Sequence, residues 1–238
     1  MCILSIVPLS KVTIITSNRD EQRSRENSVE PTIVNLGGRK TIIARDSKAN
    51  GTWIVTDNSG RTAVLLNGAF EKHVSKPPYR ESRGITLINL FEESDFNTAF
   101  QLYNLEKIEP FQIILINNPN SFQFLWDGNK KYVFSIDLNK PQVFFSSTLY
   151  TKKQQEDKKN NFLSALNKIE ECNANWLLNF HSNQDVISAD LNFFMSRENQ
   201  TTKSITQIEI NSCSSSYKHW QIWDNQRHEY TLEHVTFS

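Results

Sequence analysis

Short runs of β-branched, aliphatic and aromatic residues, each closed by a turn-forming cluster, recur along most of this 238-residue chain. This pattern constrains the fold more than any other feature, because a short strand can satisfy its backbone donors and acceptors only beside other strands. Cys2–Val7 and Val12–Ser17 flank Pro8-Leu9-Ser10-Lys11, which reads as a turn between two strands. Thr41–Ala44 follows the Gly37-Gly38 turn. Thr52–Thr56 and Arg61–Leu66 flank Asp57-Asn58-Ser59-Gly60, residues that tolerate the positive φ of a hairpin. Phe111–Ile116, Ser121–Trp126, Tyr132–Ile136 and Val143–Ser146 form a second set of strands. Leu191–Met195, Ile205–Ile210, Lys218–Trp223 and His228–Val235 form a third. Helical spacing intervenes twice: over Ser82–Glu92 and Phe96–Leu105, with Asp95 as an N-cap, and over Lys152–Cys172 followed by a shorter helix that includes Trp176–Phe180. The stretch from Asn18 to Glu30 is polar and dense in charge and reads as a loop. Strands, helices, strands, helices and strands in that order suit a layered α+β sandwich, expected to be one domain over residues 1–238.

Charge and composition exclude several functions. The chain carries 26 Lys+Arg and 26 Asp+Glu. Residues 1–119 hold 14 basic and 13 acidic groups, leaving 12 and 13 for residues 120–238, so neither half is a basic arm for nucleic acid. The longest aliphatic runs, Ala63 to Leu66 and Ile113 to Ile116, are four residues, far short of a membrane span. Met1 to Pro8 lacks the basic and apolar regions of a secretory signal, and three scattered cysteines form no disulfide framework, so a reducing cytoplasm is expected. The five histidines, at 73, 181, 219, 228 and 234, show no metal-binding spacing, and no glycine-rich phosphate loop occurs. No metal or cofactor is therefore expected. The mixed charges around Lys152–Lys159 read as a solvated helix face. Tyr217, His219, Gln221 and Trp223 read as one side of a half-buried strand.

The residue with most chemical potential is Cys2. Once Met1 is removed, it carries a thiol and a free α-amine, whose unperturbed pKa values are about 8.5 and about 7.7–8.0. One residue then supplies nucleophile and general base together. Arg19 and Asp20 follow the second strand of the N-terminal hairpin, which can return them to Cys2. A guanidinium there lowers the thiol pKa, and a carboxylate holds the protonated amine.

Met1-Cys2 followed by Asn18-Arg19-Asp20-Glu21 resembles the NRDE protein family, whose eukaryotic members are called transport and Golgi organisation proteins. Gly51-Thr52-Trp53-Ile54, Asn58-Ser59-Gly60-Arg61, the strand Ala63-Val64-Leu65-Leu66-Asn67 and Ser82-Arg83-Gly84 extend the resemblance over about the first 85 residues. Further on, Ser147 stands where many members have Asn, and Lys203 replaces an Arg in Thr202-Lys203-Ser204-Ile205-Thr206. The family is similar to the N-terminal nucleophile hydrolases that cleave bile-salt amides and penicillin V. That relation implies a four-layer αββα sandwich, two antiparallel sheets between helix layers. It also implies Cys2 as nucleophile, Arg19 and Asp20 as its electrostatic partners and Asn67 as an oxyanion donor. Asn18, Trp53, Ser147 and Lys203 are expected to contact the small molecule bound there. Two functions follow: hydrolysis of a small linear amide, or non-catalytic binding of a hydrophobic small molecule, lipid or haem-like, in the same cleft.

Overall fold

The computed structural model describes residues 3–184 and 191–235. Strands β1 (Ile3–Pro8) and β2 (Thr13–Gln22) make the N-terminal hairpin. A seven-stranded antiparallel meander follows: β3 (Val29–Leu36), β4 (Arg39–Arg45), β5 (Thr52–Asp57), β6 (Thr62–Asn67), β7 (Phe111–Ile116), β8 (Ser121–Trp126) and β9 (Lys131–Ile136). Helices α1 (Arg83–Glu92) and α2 (Phe96–Leu102) are inserted between β6 and β7. The chain then returns to the first sheet through β10 (Gln142–Phe145), passes α3 (Lys152–Leu166) and α4 (Ala174–Ser182), and closes with β11 (Gln200–Ile210), β12 (Ser214–Gln221) and β13 (Arg227–Glu233). The first sheet has the order β10-β1-β2-β11-β12-β13, so the N-terminal hairpin lies inside it rather than at its edge.

Three apolar clusters define four layers. Leu4, Ile6, Ile15 and Ile208 of the first sheet meet Ile42, Ile54, Val64, Leu66 and Ile114 of the second. On the outer face of the second sheet, Val55, Leu65, Ile113 and Phe124 pack against Leu87, Phe91 and Phe100 of α1 and α2. On the outer face of the first, Ile3, Val7, Ile14 and Phe145 pack against Phe162 and Leu177 of α3 and α4. Period-two alternation along each strand produces this division. The arrangement is the αββα sandwich of two antiparallel sheets that the family resemblance implies.

Several boundaries differ from the sequence reading. Asn18–Gln22 is not loop but the second half of β2, hydrogen-bonded to β11 throughout and, at Asn18, to β1, with Asn18, Arg19 and Asp20 buried. β3 takes the last two residues of the stretch read as polar loop, Val29 and Glu30, and residues 23–28 between the strands are turn and irregular as read. The helix that starts at Lys152 ends at Leu166 rather than Cys172. Residues 191–195 form no strand; Phe193 and Met195 are held by packing against Phe162 and Leu177. On the charged face of α3, Lys158 is buried and donates to the Asn192 carbonyl, so that face is not uniformly solvated. Trp223 lies beyond the end of β12 and is exposed, whereas Tyr217, His219 and Gln221 alternate inward as expected.

Two local devices fix α1 against the second sheet. The buried Asp57 carboxylate accepts from Ser59 N, Arg61 N, Arg61 Nε and Arg39 Nε. This holds both guanidinium groups beneath the C-terminal end of α1, where they donate to the carbonyls of Phe91, Glu92 and Glu93. Cationic donors there satisfy the carbonyls a helix leaves open and oppose its dipole. At the other end, Ser82 caps the helix by accepting from Ile85 N. There Gly84 meets Gly51 and Thr52 backbone to backbone: a Cβ on Gly84 would lie 2.7 Å from Thr52 O and 2.8 Å from Thr52 N. The glycines of the Gly-Thr-Trp and Ser-Arg-Gly segments are thus a matched steric pair.

Gly84→Ala should therefore cost about 2–3 kcal/mol by forcing two backbones apart. Gly38→Ala, whose added Cβ meets nothing within 4 Å, should cost only the strain of its φ of +80°, about 1 kcal/mol. Urea denaturation of both variants checks this; equal losses would mean that the contact is not tight.

Candidate active site

The first half of the NRDE segment lies where β2 leaves the shelter of β1. The register between β1 and β2 runs from Pro8↔Thr13 to Ile3↔Asn18, so Arg19 is one step past the last described pair. On its other side β11 continues, pairing Ser204 with Arg19 and Thr202 with Asp20 across a bulge at Lys203. Alternation sends successive side chains to opposite faces of the sheet. Arg19 therefore enters the space between the sheets, while Asn18 and Asp20 face the α3–α4 layer.

Arg19 is 2% exposed, among the most completely buried large side chains of the protein. Its Nη2 donates to Asp46 Oδ2 at 2.6 Å, and its guanidinium carbon lies 4.7 Å from the Trp53 ring centroid. A buried cation needs such partners, since desolvation is costly unless charge and hydrogen bonds offset it. Asp46 opens the turn between β4 and β5, where its Oδ1 also accepts from Lys48 N and Ala49 N. Arg25 closes on the same carboxylate through Nη2 and Nε. Burial alone would raise the Asp46 pKa. The Arg25 hydrogen bond, the Ala49 N–H and the charges of Arg19 and Arg25 outweigh it and hold the pKa at about 2. The second nitrogen, Arg19 Nη1, is buried with no hydrogen-bond partner among the described residues; Trp53 Nε1, Ser17 Oγ and Ser204 Oγ share that condition.

Arg19, Trp53 and Asn67 line one open cleft of about 150 Å³, with Asp46, Arg25, Glu21 and the Ser82–Gly84 start of α1 around it. Asn67 ends β6 opposite Phe111, and its carbonyl accepts from Ser146 Oγ at 2.7 Å. Beside it, Gly68 adopts φ +77°, and a Cβ there would come 2.2 Å from Ser147 Oγ. Ser147 belongs to a neighbouring, larger cleft of about 310 Å³ that it lines with Phe70, Leu149 and Tyr150. Asp20 is reached from that side: Oδ1 accepts from Thr202 Oγ1 at 2.6 Å and Oδ2 from Tyr150 OH at 3.3 Å. Lys203 is turned away, donating to the Arg23 carbonyl at 2.9 Å beneath the Trp223 ring. Cys2 lies outside the described residues.

Asn18 has a different employment from a ligand contact. Its Nδ2 donates to the carbonyls of His181 and Phe193, each at 3.0 Å, which leaves Oδ1 facing His181 Nδ1 at 2.7 Å. The imidazole must then carry its proton on Nδ1, and Nε2 accepts from Ser5 Oγ at 2.7 Å. Burial pushes His181 down to a pKa of about 3, consistent with this neutral tautomer. His219, between Thr206 Oγ1 and Ser28 Oγ and 6.1 Å from Trp53, is likewise held near about 3, chiefly by burial and then by the charges of His228 and Arg19. Asp46 and Arg25 line the cleft and were missed by sequence reasoning, as were the buried partners around it, Ser204 and the two histidines. Only Asp46 left a signal, as the acceptor side chain opening a turn that ends in Asn50-Gly51.

The sandwich that frames this cleft is a fold shared, at low identity, with hydrolases of known structure. Two crystal structures of conjugated bile acid hydrolase from Clostridium perfringens, an arginine-to-leucine variant and a cysteine-to-alanine mutant, each superpose with a TM-score of 0.57 at 11% identity. They cover 96% and 97% of this chain and 92% of their own. The Caenorhabditis elegans ortholog of N-acylethanolamine-hydrolyzing acid amidase gives 0.56 at 12% identity, covering 87% of this chain and 92% of its own. No curated protein matches the chain. Residues 1–230 match the family described as Transport and Golgi organisation 2, and the protein belongs to it.

Burial lowers the pKa of both histidines from 6.5 in the unfolded chain to about 3 in the folded protein. Stability is therefore complete above pH 6.5 and lost as pH falls toward 3, by about 2 kcal/mol per histidine between pH 7 and 5. Urea midpoints across that range should fall about half as much in His181→Gln as in the wild type. An unchanged fall would show that His181 is not held neutral.

Proposed function

We propose that the protein is an N-terminal-cysteine hydrolase of a carbon–nitrogen bond in a small linear amide, acting through Cys2 once Met1 is removed. The observation that carries this reading is Arg19: a buried, ion-paired cation one residue past the β1–β2 register, with one N–H unpartnered and Asn67 on the same cleft. The reading requires Cys2 to continue the alternation of β1, which would put its thiol on the face of Leu4, Ile6 and Arg19. Positive charge there favours the thiolate.

In this mechanism the Cys2 α-amine takes the thiol proton, and sulfur attacks the amide carbon. The oxyanion of the tetrahedral intermediate accepts from Asn67, a donor of a kind worth about 2.7–4 kcal/mol when removed. The carbon–nitrogen bond then breaks, the amine leaves with the proton held by the α-amine, and water hydrolyses the thioester to release the carboxylic acid. Asp20, on the opposite face of β2 from Arg19, is assigned to hold the protonated α-amine, with Thr202 and Tyr150 fixing its carboxylate. No helix among the described residues is long and apolar enough to cross a membrane, and the odd cysteines support a reducing cytoplasm. A second reading, binding of a hydrophobic small molecule without turnover, is favoured by the larger cleft with Phe70, Leu149 and Tyr150 on its walls.

Intact mass gives the first test, since retained Met1 blocks the amine and excludes the mechanism. In protein lacking Met1, iodoacetamide should label Cys2 faster than Cys172 or Cys213. Cys2→Ala should abolish turnover of any amide found in a substrate screen while moving Tm little. Equal labelling rates, or ligand binding with no wild-type turnover, would favour the second reading.

A further inference from the structure

The inner end of the cleft has an imbalance of hydrogen-bonding groups. Arg19 Nη1 and Trp53 Nε1 are donors that cannot accept, they belong to side chains 2% and 3% exposed, and neither has an acceptor among the described residues. Both side chains line the cleft. Ser204, opposite Arg19 in the β2–β11 register, adds a buried hydroxyl without a partner. The local carboxylate cannot serve them. Asp46 Oδ2 is shared by Arg19 Nη2 and Arg25 Nε, and Oδ1 by Arg25 Nη2 and two backbone N–H groups. One carboxylate faces two guanidinium groups, and the other acidic lining residue, Glu21, makes no ion pair with either.

Buried N–H groups without acceptors carry a desolvation cost that a ligand acceptor relieves, and charge-assisted hydrogen bonds relieve it most. We infer that the inner end of this cleft is a subsite for a small carboxylate, held by Arg19 Nη1 and Trp53 Nε1 with Ser204 beside them. The inference deepens the hydrolase reading of the same site and rests on it only for the source of the ligand: hydrolysis of an amide by water yields an amine and a carboxylic acid, and the acid half is the one this donor set fits. A carboxylate at Arg19 occupies the cation assigned to the thiolate, so it inhibits turnover.

The test uses the full chain with and without Cys2→Ala, titrated with sodium butyrate and with butyramide, which share size and shape but differ in charge. Calorimetry should show butyrate binding at least about tenfold more tightly than butyramide. Trp53→Phe keeps an aromatic ring under Arg19 and removes the N–H together with the five-membered ring; it should weaken butyrate about fivefold and butyramide distinctly less. Equal binding of the two probes, or binding of neither because water satisfies the donors, overturns the subsite. The wild-type comparison of probes decides the matter even where Trp53→Phe fails to fold. Butyrate binding by a protein that never turns over an amide retains the subsite and removes the hydrolase; turnover without charge preference does the reverse.

Discussion

A guanidinium enclosed between two β-sheets sets the terms for this end of the molecule. Arg19 has almost no contact with bulk water, so its charge must be balanced inside the sandwich. Asp46 arrives from one sheet and Trp53 from the same sheet, while Arg19 itself belongs to the other. The contact therefore spans the gap that elsewhere is filled by Ile, Leu and Val. Around it the inner faces of β2, β11 and β12 turn polar, through Ser17, Ser204, Thr206, His219 and Gln221. Most of the gap is hydrophobic core, and this end is a cleft because a charge cannot be packed as a hydrocarbon is.

Much of the layer order was legible in residue patterns. Phe111–Ile116 and Ser121–Trp126 alternate or run apolar between clear turns, and both strands have those bounds. Asp95 announced α2 by its capping chemistry. The NRDE stretch was misread because its strand character lies in its neighbours rather than in its own composition. Residues 18–21 carry three charges, yet all four lie in register beside β11, and Asn18 is also paired with β1 and bonded to α4. Periodicity methods look for apolar residues on a buried face, and here the buried residues on both faces are polar. The network that uses Asn18 is equally silent in sequence, since Ser5 and His181 are separated by 176 residues.

The family resemblance gains a physical content from these positions. Its glycines at 51 and 84 permit two backbones to touch, and that contact places Ser82 and Arg83 at the mouth of the cleft. Its Gly60-Arg61 turn orders the other end of α1. Its tryptophan lies under the buried arginine. Several motif residues thus build the wall of the site or brace the helix beside it without belonging to its chemistry, which is how a fold can be shared at 11% identity while activity is not implied.

The division of β2 by parity has a consequence for how the gene can change. Ile15, Ser17 and Arg19 belong to one face and Ile14, Asn18 and Asp20 to the other. A single codon gained or lost in the β1–β2 turn would slide one strand by a residue and exchange the two sets together. The carboxamide would enter the gap between the sheets, and the guanidinium would be pressed beneath α4 with no carboxylate to meet it. The bulge at Lys203 already takes up the irregularity that β11 can absorb beside this segment. Register therefore constrains the chain length between Ile3 and Arg19 more strictly than the identity of the turn residues themselves.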